Sequence, residues 1–189
     1  KAVKEKKKFL ISGGGLLGLE IANSIALTGK NVTVCEFMPF LLSRQCDEGG
    51  GKFLEKLLRS RGLKFIFSDS IVSYDGKNAE FASGMKESFD AIIISSGVLP
   101  SVMLAKNCGL SIAKGILTDS TFRTSDPDIY AAGDCAEIDG HLCGLWMTAK
   151  EQGRIAGANM SGIKSYYKPL ISSTVLKIAE IDFFSAGDY

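Results

Sequence analysis

The chain has 189 residues, 46% hydrophobic and 23% charged, with a net charge of +1: the balance of an ordinary soluble protein with room for a substantial core. Five Lys and one Glu fill the first eight residues, read as the solvated end of a helix. The remainder carries 17 basic and 20 acidic side chains, which excludes a broad basic surface for nucleic acid. No apolar run reaches membrane-span length, and the start does not read as a signal peptide. Five scattered cysteines without C-x-x-C spacing, and a single His141, exclude a disulfide framework, a zinc site and His-rich metal ligation. They fit a reducing, cytoplasmic compartment.

Phe9, Leu10 and Ile11 predict a short buried strand, and Gly13, Gly15 and Gly18 follow at G-x-G-x-x-G spacing. A tight turn, close approach of backbone to a pyrophosphate, and close helix–strand packing each ask for one of these glycines. The helix that begins in Gly14, Gly15, Leu16, Leu17 and Gly18 aims its free N–H groups and positive dipole end at the phosphates. Ile21 and Ile25 recur one turn apart, Gly18, Ala22 and Ala26 make a small-residue face, and Gly29 supplies the stop. A second strand, 31–35, ends in Glu36, 18 residues beyond Gly18, where a carboxylate accepts hydrogen bonds from a ribose diol. A turn that merely needs three glycines does not explain Glu36.

A loop from Phe37 to Cys46 leads to Asp47, which caps a second helix with Phe53, Leu54, Leu57 and Leu58 facing one way. Gly49, Gly50 and Gly51 in its first turn, each costing about 1 kcal/mol in a helix interior, predict a late or frayed start. Arg61-Gly62 ends the helix and 63–67 forms a third strand, completing a parallel doubly wound α/β core. Short strands over 71–74, 79–82 and from Ser88, punctuated by Asp75-Gly76 and Ser83-Gly84, predict an antiparallel meander. The run 90–95 is apolar enough for a central strand and ends in Ser96-Gly97. Gly97 is either the chain's exit beside a ligand crevice or an ordinary loop start.

Residues 101–116 predict a short helix and linker. Asp126-Pro127-Asp128 is a turn, and 129–132 predicts a small-residue strand packed on both sides. Gly133 lets the backbone approach a neighbour, and Asp134 is either a cap or turn acid or, favoured by its place at a strand's carboxyl end, a contact for a ligand hydroxyl. Leu145 to Met160 predicts a buried helix with Met147 and Ile155 inward, and Gly153 and Gly157 allow close approach of another backbone. Strands over 173–178 and 181–184 open a further unit.

Phe9–Glu20 with Glu36, Ser96-Gly97 with Pro100, and the eleven residues Thr124–Asp134 (TSDPDIYAAGD) resemble the FAD-dependent pyridine nucleotide-disulfide oxidoreductase family. Trp146, Gln152-Gly153 and the segment 174–187 resemble its NADH:rubredoxin reductase, NADH oxidase and nitrite reductase branch. The resemblance implies a Rossmann-like NAD domain with its meander over residues 1–97, the C-terminal part of an FAD-binding α/β domain over 98–168, and the start of a C-terminal interface domain over 169–189. It places Glu20 near the nicotinamide, Asp134 on the flavin ribityl chain, and the helix after Gly144 at the flavin pyrimidine edge. Family members open with their own G-x-G-x-x-G unit for FAD and carry their redox cysteines there. This chain has neither, so a fragment is expected, with a partial FAD site and a missing FAD-domain half as its partner. None of its own cysteines is then a redox dithiol. The implied activity passes a hydride from NADH to flavin and on to an acceptor, such as the protein rubredoxin, with no side chain acting as acid or base. Apolar surface around 129–133 and 145–160 would favour a homo-oligomer. The competing reading is a non-catalytic NAD(H)-binding or redox-sensing module, which has no use for Asp134.

Overall fold

The computed structural model describes residues 2–169, 173–178 and 181–187. The chain divides into two compact units, Lys1–Gly97 with Ile171–Tyr189, and Val98–Leu170. The first unit begins with a single turn α1 (Ala2–Glu5), then β1 (Lys8–Ser12), α2 (Leu16–Ala26), β2 (Asn31–Glu36), α3 (Glu48–Ser60) and β3 (Lys64–Phe67). The meander follows as β4 (Ile71–Tyr74), β5 (Asn78–Phe81) and β6 (Lys86–Ser88), and β7 (Ala91–Ile94) returns to the first sheet.

That sheet is parallel throughout, in the order β3-β2-β1-β7. Its side chains alternate as the pleat requires. Phe9 and Ile11 of β1 and Val32 and Val34 of β2 join Leu19, Ala22 and Ile25 of α2 and Leu54 and Leu58 of α3 in one core. Leu10 and Cys35, on the opposite face, pack with Ala79, Phe81 and Phe89 beneath the meander. Both crossover helices therefore share one face, and the antiparallel sheet β4-β5-β6 covers the other. Asp69 joins these parts. Its carboxylate accepts from the Ser70 N–H at 2.8 Å, the Ser83 N–H at 3.1 Å and the Ser83 hydroxyl at 2.6 Å, tying the loop after β3 to the turn after β5.

Helix α3 corrects the expectation of a late start. It begins at Glu48, with the Asp47 carboxylate accepting the Gly50 N–H at 2.8 Å, so the three glycines lie inside its first turn. Packing explains at least Gly51: a Cβ there would stand 2.6 Å from the Leu41 carbonyl oxygen and 2.7 Å from the Phe40 ring. The glycine exists for the loop laid across it, and helix propensity yields to that contact.

The second unit contains α4 (Met103–Asn107), β8 (Ile116–Leu117), β9 (Ala136–Ile138), β10 (His141–Leu142) and α5 (Trp146–Met160), with a small sheet ordered β10-β9-β8. Its core gathers Ile116, Phe122, Ala131, Ala136, Ile138, Ile155 and Ala156. The run 129–132 is not a strand. Tyr130 makes an isolated bridge with Arg123, and the Ala131 N–H donates to the Phe122 carbonyl. The Thr124 N–H also donates to the Ile129 carbonyl, so the run pairs with 122–124 over a single bridge, too short to extend into a strand ladder. Helix α5 buries Gln152, Ile155 and Ala156, whereas Met147 stands 70% exposed, and a Cβ on Gly153 or Gly157 would meet nothing within 4 Å. The expected inward Met147 and close backbone approach at these glycines are therefore absent.

The last two strands, β11 (Ser173–Ile178) and β12 (Ile181–Ala186), form an antiparallel hairpin. Leu176 and Ile178 enter the helix-side core of the first unit, and the Ser185 hydroxyl donates to the Gln45 carbonyl.

Candidate functional site

Strand β1 passes to β2 on one side through α2 and has β7 on its other side, so the loop after β1 lies where the strand order reverses. Such a switch point at the carboxyl edge of a parallel sheet is where open α/β folds place ligands. The loop is pinned from both neighbours: the Gly13 N–H donates to the Cys35 carbonyl at 2.8 Å, and the Ser95 N–H to the Ser12 carbonyl at 2.7 Å.

Each glycine here answers a different demand. Gly13 has φ +108°, and a Cβ on it would lie 2.3 Å from the Ser95 carbonyl oxygen. A Cβ on Gly18 would lie 2.0 Å from the Gly13 carbonyl oxygen, so α2 starts directly against the turn. Gly15 differs. Its φ of −79° suits any residue, and a Cβ on it would meet no protein atom within 4 Å. Gly15 is the N-cap of α2 and offers no side chain to the helix's first N–H groups, including those of Leu16 and Leu17. The protein itself gives no reason for glycine at this position, whereas a phosphate approaching the helix end does.

Glu36 closes the site from β2. One carboxylate oxygen accepts the Gly14 N–H at 2.6 Å and the other the Met38 N–H at 2.8 Å. The acid is thus fixed across the glycine loop, and its remaining lone pairs are available to hydroxyl donors. Leu41 and Leu42, both buried, secure the same loop: the Leu42 N–H donates to the Gly14 carbonyl at 3.3 Å, with Leu42 held at φ +54°. Glu20 is exposed on α2. Gly97, with φ +106°, follows the Ser95-Ser96 segment that touches Gly13.

In the second unit, Gly133 has φ +83°, and its N–H donates to the Gln152 side-chain oxygen at 2.8 Å. Gln152 is 1% exposed, a polar group buried on α5 to hold one turn. Asp134, the next residue, is exposed. The role of Gln152 was not inferred from the sequence, although a glutamine three and four residues before buried Ile155 and Ala156 on one helix face is a readable signal.

All five cysteines are free thiols. Burial, with Asp69 and Glu36 adding to it, pushes the Cys35 thiol up to about 11, and burial also raises Cys46. Among the described residues no cluster of His, Cys, Asp or Glu is placed to hold a metal ion, and no helix is long and apolar enough to cross a membrane.

Comparison with known proteins follows the same lines. The family described as pyridine nucleotide-disulphide oxidoreductase matches residues 1–153. The nitrite reductase (NAD(P)H) of Bacillus subtilis is 34% identical over 100% of the chain, which covers 24% of that protein. The NADH-rubredoxin oxidoreductase of Clostridium acetobutylicum is 35% identical over 98% of the chain and 46% of its own length. Among solved structures, the NAD-dependent persulfide reductase from A. fulgidus superposes with a TM-score of 0.91 at 30% identity, over 100% of this chain and 37% of that one. The chain thus spans less than half of each of these relatives.

Proposed function

The chain belongs to the pyridine nucleotide-disulphide oxidoreductase family, and from that premise we propose that it is the NAD(H)-binding portion of an FAD-dependent NADH oxidoreductase, with part of the flavin site. In this reading residues 1–97 hold the nicotinamide dinucleotide, 98–168 belong to the FAD domain, and 169–189 begin an interface domain. When bound, the two cofactors supply the redox chemistry, a hydride moving from nicotinamide to flavin. The residues of this chain bind and orient. The N–H groups at the start of α2, around Leu16 and Leu17, hold the pyrophosphate over Gly15. Glu36 accepts from the adenosine ribose, and Gly97 and Glu20 border the path toward the nicotinamide. In the second unit Asp134 accepts from the flavin ribityl chain, on a turn that Gln152 fixes at Gly133. Bound flavin would supply the two electrons to an acceptor. No side chain here needs to move a proton, so none is assigned as catalytic.

The observation that carries this reading is the pairing of Gly15, open to space at the end of α2, with Glu36, fixed by two backbone N–H groups beside it. Gly133 and Asp134 favour the enzyme over a nucleotide-binding module without flavin, which has no use for a second such turn. Glu36 also sets the preference for NADH. A 2′-phosphate about 4 Å from its carboxylate is repelled by up to about 4 kcal/mol at an effective dielectric near 20. Calorimetric titration of the chain with NADH and NADPH tests both points: absence of NADH binding sinks the proposed function, and equal or tighter binding of NADPH sinks the preference set by Glu36.

A further inference from the structure

We propose that the terminal hairpin β11–β12 is a latch on the nucleotide site. It holds loop 37–46 against the glycine turn, so that hairpin docking and NADH binding strengthen each other. The proposal rests on the function given above, which seats the dinucleotide at Gly15 and Glu36. A path of hydrogen bonds joins the two places. The Ser185 hydroxyl donates to the Gln45 carbonyl, and the Gln45 N–H donates to the Leu42 carbonyl at 2.7 Å. The Leu42 N–H donates to the Gly14 carbonyl at 3.3 Å, and the Gly14 N–H to the Glu36 carboxylate at 2.6 Å. Packing runs beside these bonds. Leu176 and Ile178 of β11 share one core with Leu41, Leu42 and Cys46 of the loop, and β11 lies along α2. Leu41 in turn rests on the glycine turn: a Cβ on Gly14 would stand 2.8 Å from its side chain.

Two features make this a coupling and not a passive contact. The first is strain in the loop. Leu42 sits at φ +54°, a conformation that a leucine keeps only where its surroundings hold it. Releasing it carries the Leu42 N–H away from Gly14 and Leu41 off the turn, so the loop has a held and a relaxed arrangement. The second is the weakness of the hairpin by itself. Among the described residues β11 and β12 pair only with each other, and an isolated two-stranded hairpin is marginal in water. Its order therefore depends on the loop and helix beneath it. A ligand that favours the held loop favours the docked hairpin by the same factor. Because the proposed function assigns this segment to an interface domain, an event at that interface would reach the nucleotide through Gln45 and Leu42.

Hydrogen exchange on the 189-residue chain, with and without NADH, tests the latch. In the parent, NADH should slow exchange over 173–178 and 181–187 as well as over 14–18 and 37–46. Leu176→Ala should speed exchange over 37–46 and weaken NADH binding about fivefold or more. Ser185→Ala, which keeps the apolar face of the hairpin, should act in the same direction with a smaller effect. Phe89→Leu, in the core on the opposite face of the sheet, should leave NADH affinity unchanged, which separates the latch from a general loss of stability. Protection of the glycine turn without protection of the hairpin would overturn the proposal, as would hairpin variants that bind NADH like the parent. So would an equal loss of affinity in Phe89→Leu. If Leu176→Ala does not fold, Ser185→Ala and the protection pattern of the parent decide. Failure of the parent to bind NADH strikes the proposed function, whereas exchange over 37–46 in the ligand-free variants still shows whether the hairpin holds the loop.

Discussion

Gly13, Gly15 and Gly18 each meet a different demand of the motif, and substitution separates them. Alanine at Gly13 or Gly18 would place a methyl group 2.3 or 2.0 Å from a backbone oxygen, and should cost about 3 kcal/mol or more. Alanine at Gly15 meets nothing and sits at an ordinary φ, so stability should change by less than about 1 kcal/mol. A bulkier Gly15→Val should likewise leave the fold intact but lower NADH affinity about tenfold or more, since its side chain fills the space a pyrophosphate needs. Denaturant melts beside nucleotide titrations check this, and undiminished NADH binding by Gly15→Val would remove the phosphate from that position. Thiol chemistry separates the cysteines in the same way. Cys35, buried and raised to about 11, and Cys46, raised by burial, stay protonated at pH 7–8 and should react slowly with a thiol reagent in the native state. Exposed Cys108 should react first. A native Cys35 that reacts as fast as Cys108 would mean that its strand opens readily.

At the scale of elements, the most instructive comparison is within α3. Helix propensity alone favours alanine over glycine by about 1 kcal/mol at an interior position. Gly49→Ala should follow that rule, because its Cβ would meet only the Asp47 side chain, at 3.5 Å. Gly51→Ala should reverse the sign and destabilise, because the loop carrying Phe40 and Leu41 has to lift off the helix. Thermal melts of the two variants, moving in opposite directions, check the packing. The same contrast shows what the sequence makes legible. Short apolar runs bounded by glycine and acid, and turn dipeptides, reveal β1, β2 and the meander because each pattern is carried within a single element. Gly51, the irregular run 129–132 and outward-facing Met147 depart from expectation because each depends on what another segment does, and the role of Gln152 stays hidden because its partner Gly133 lies 19 residues away. Asp69 belongs to this class as well. The hydroxyl and amide of Ser83 and the Ser70 amide hold its carboxyl below the usual value. A lowered carboxyl contributes stability above its unfolded pKa, near 4, and loses it as pH falls through the folded value. Asp69→Asn should therefore be less stable than the parent at pH 7, with the gap closing toward pH 3. A gap constant across that range would show that the carboxylate charge is not what ties the loop to the meander.

For the whole molecule, the two units are unequal in what they bring to a cofactor. The first contains a complete strand–glycine turn–helix–strand with its acid: Gly13 to Gly18 on α2 and Glu36 at the end of β2. The second brings Asp134, the turn held by Gln152 and the N-terminus of α5, but among its described residues no glycine-rich turn leads from a parallel strand into a helix. FAD asks for more than that: a helix end for its own pyrophosphate, an acid for its adenosine ribose, and walls on both faces of its ring. Tyr130 to Ala132 is held within its own unit: Tyr130 bridges to Arg123 and accepts from its guanidinium at 3.0 Å, Ala131 bonds to Phe122, and the Cys135 thiol reaches the Ala132 carbonyl at 3.6 Å. The 189-residue chain should therefore bind NADH yet purify colourless, and with added FAD it should not oxidise NADH when an artificial acceptor is supplied. Visible absorbance, flavin released on denaturation, and NADH consumption measure these outcomes. A yellow protein with one FAD per chain that turns over NADH would show that Asp134, Gln152 and α5 suffice to hold the flavin.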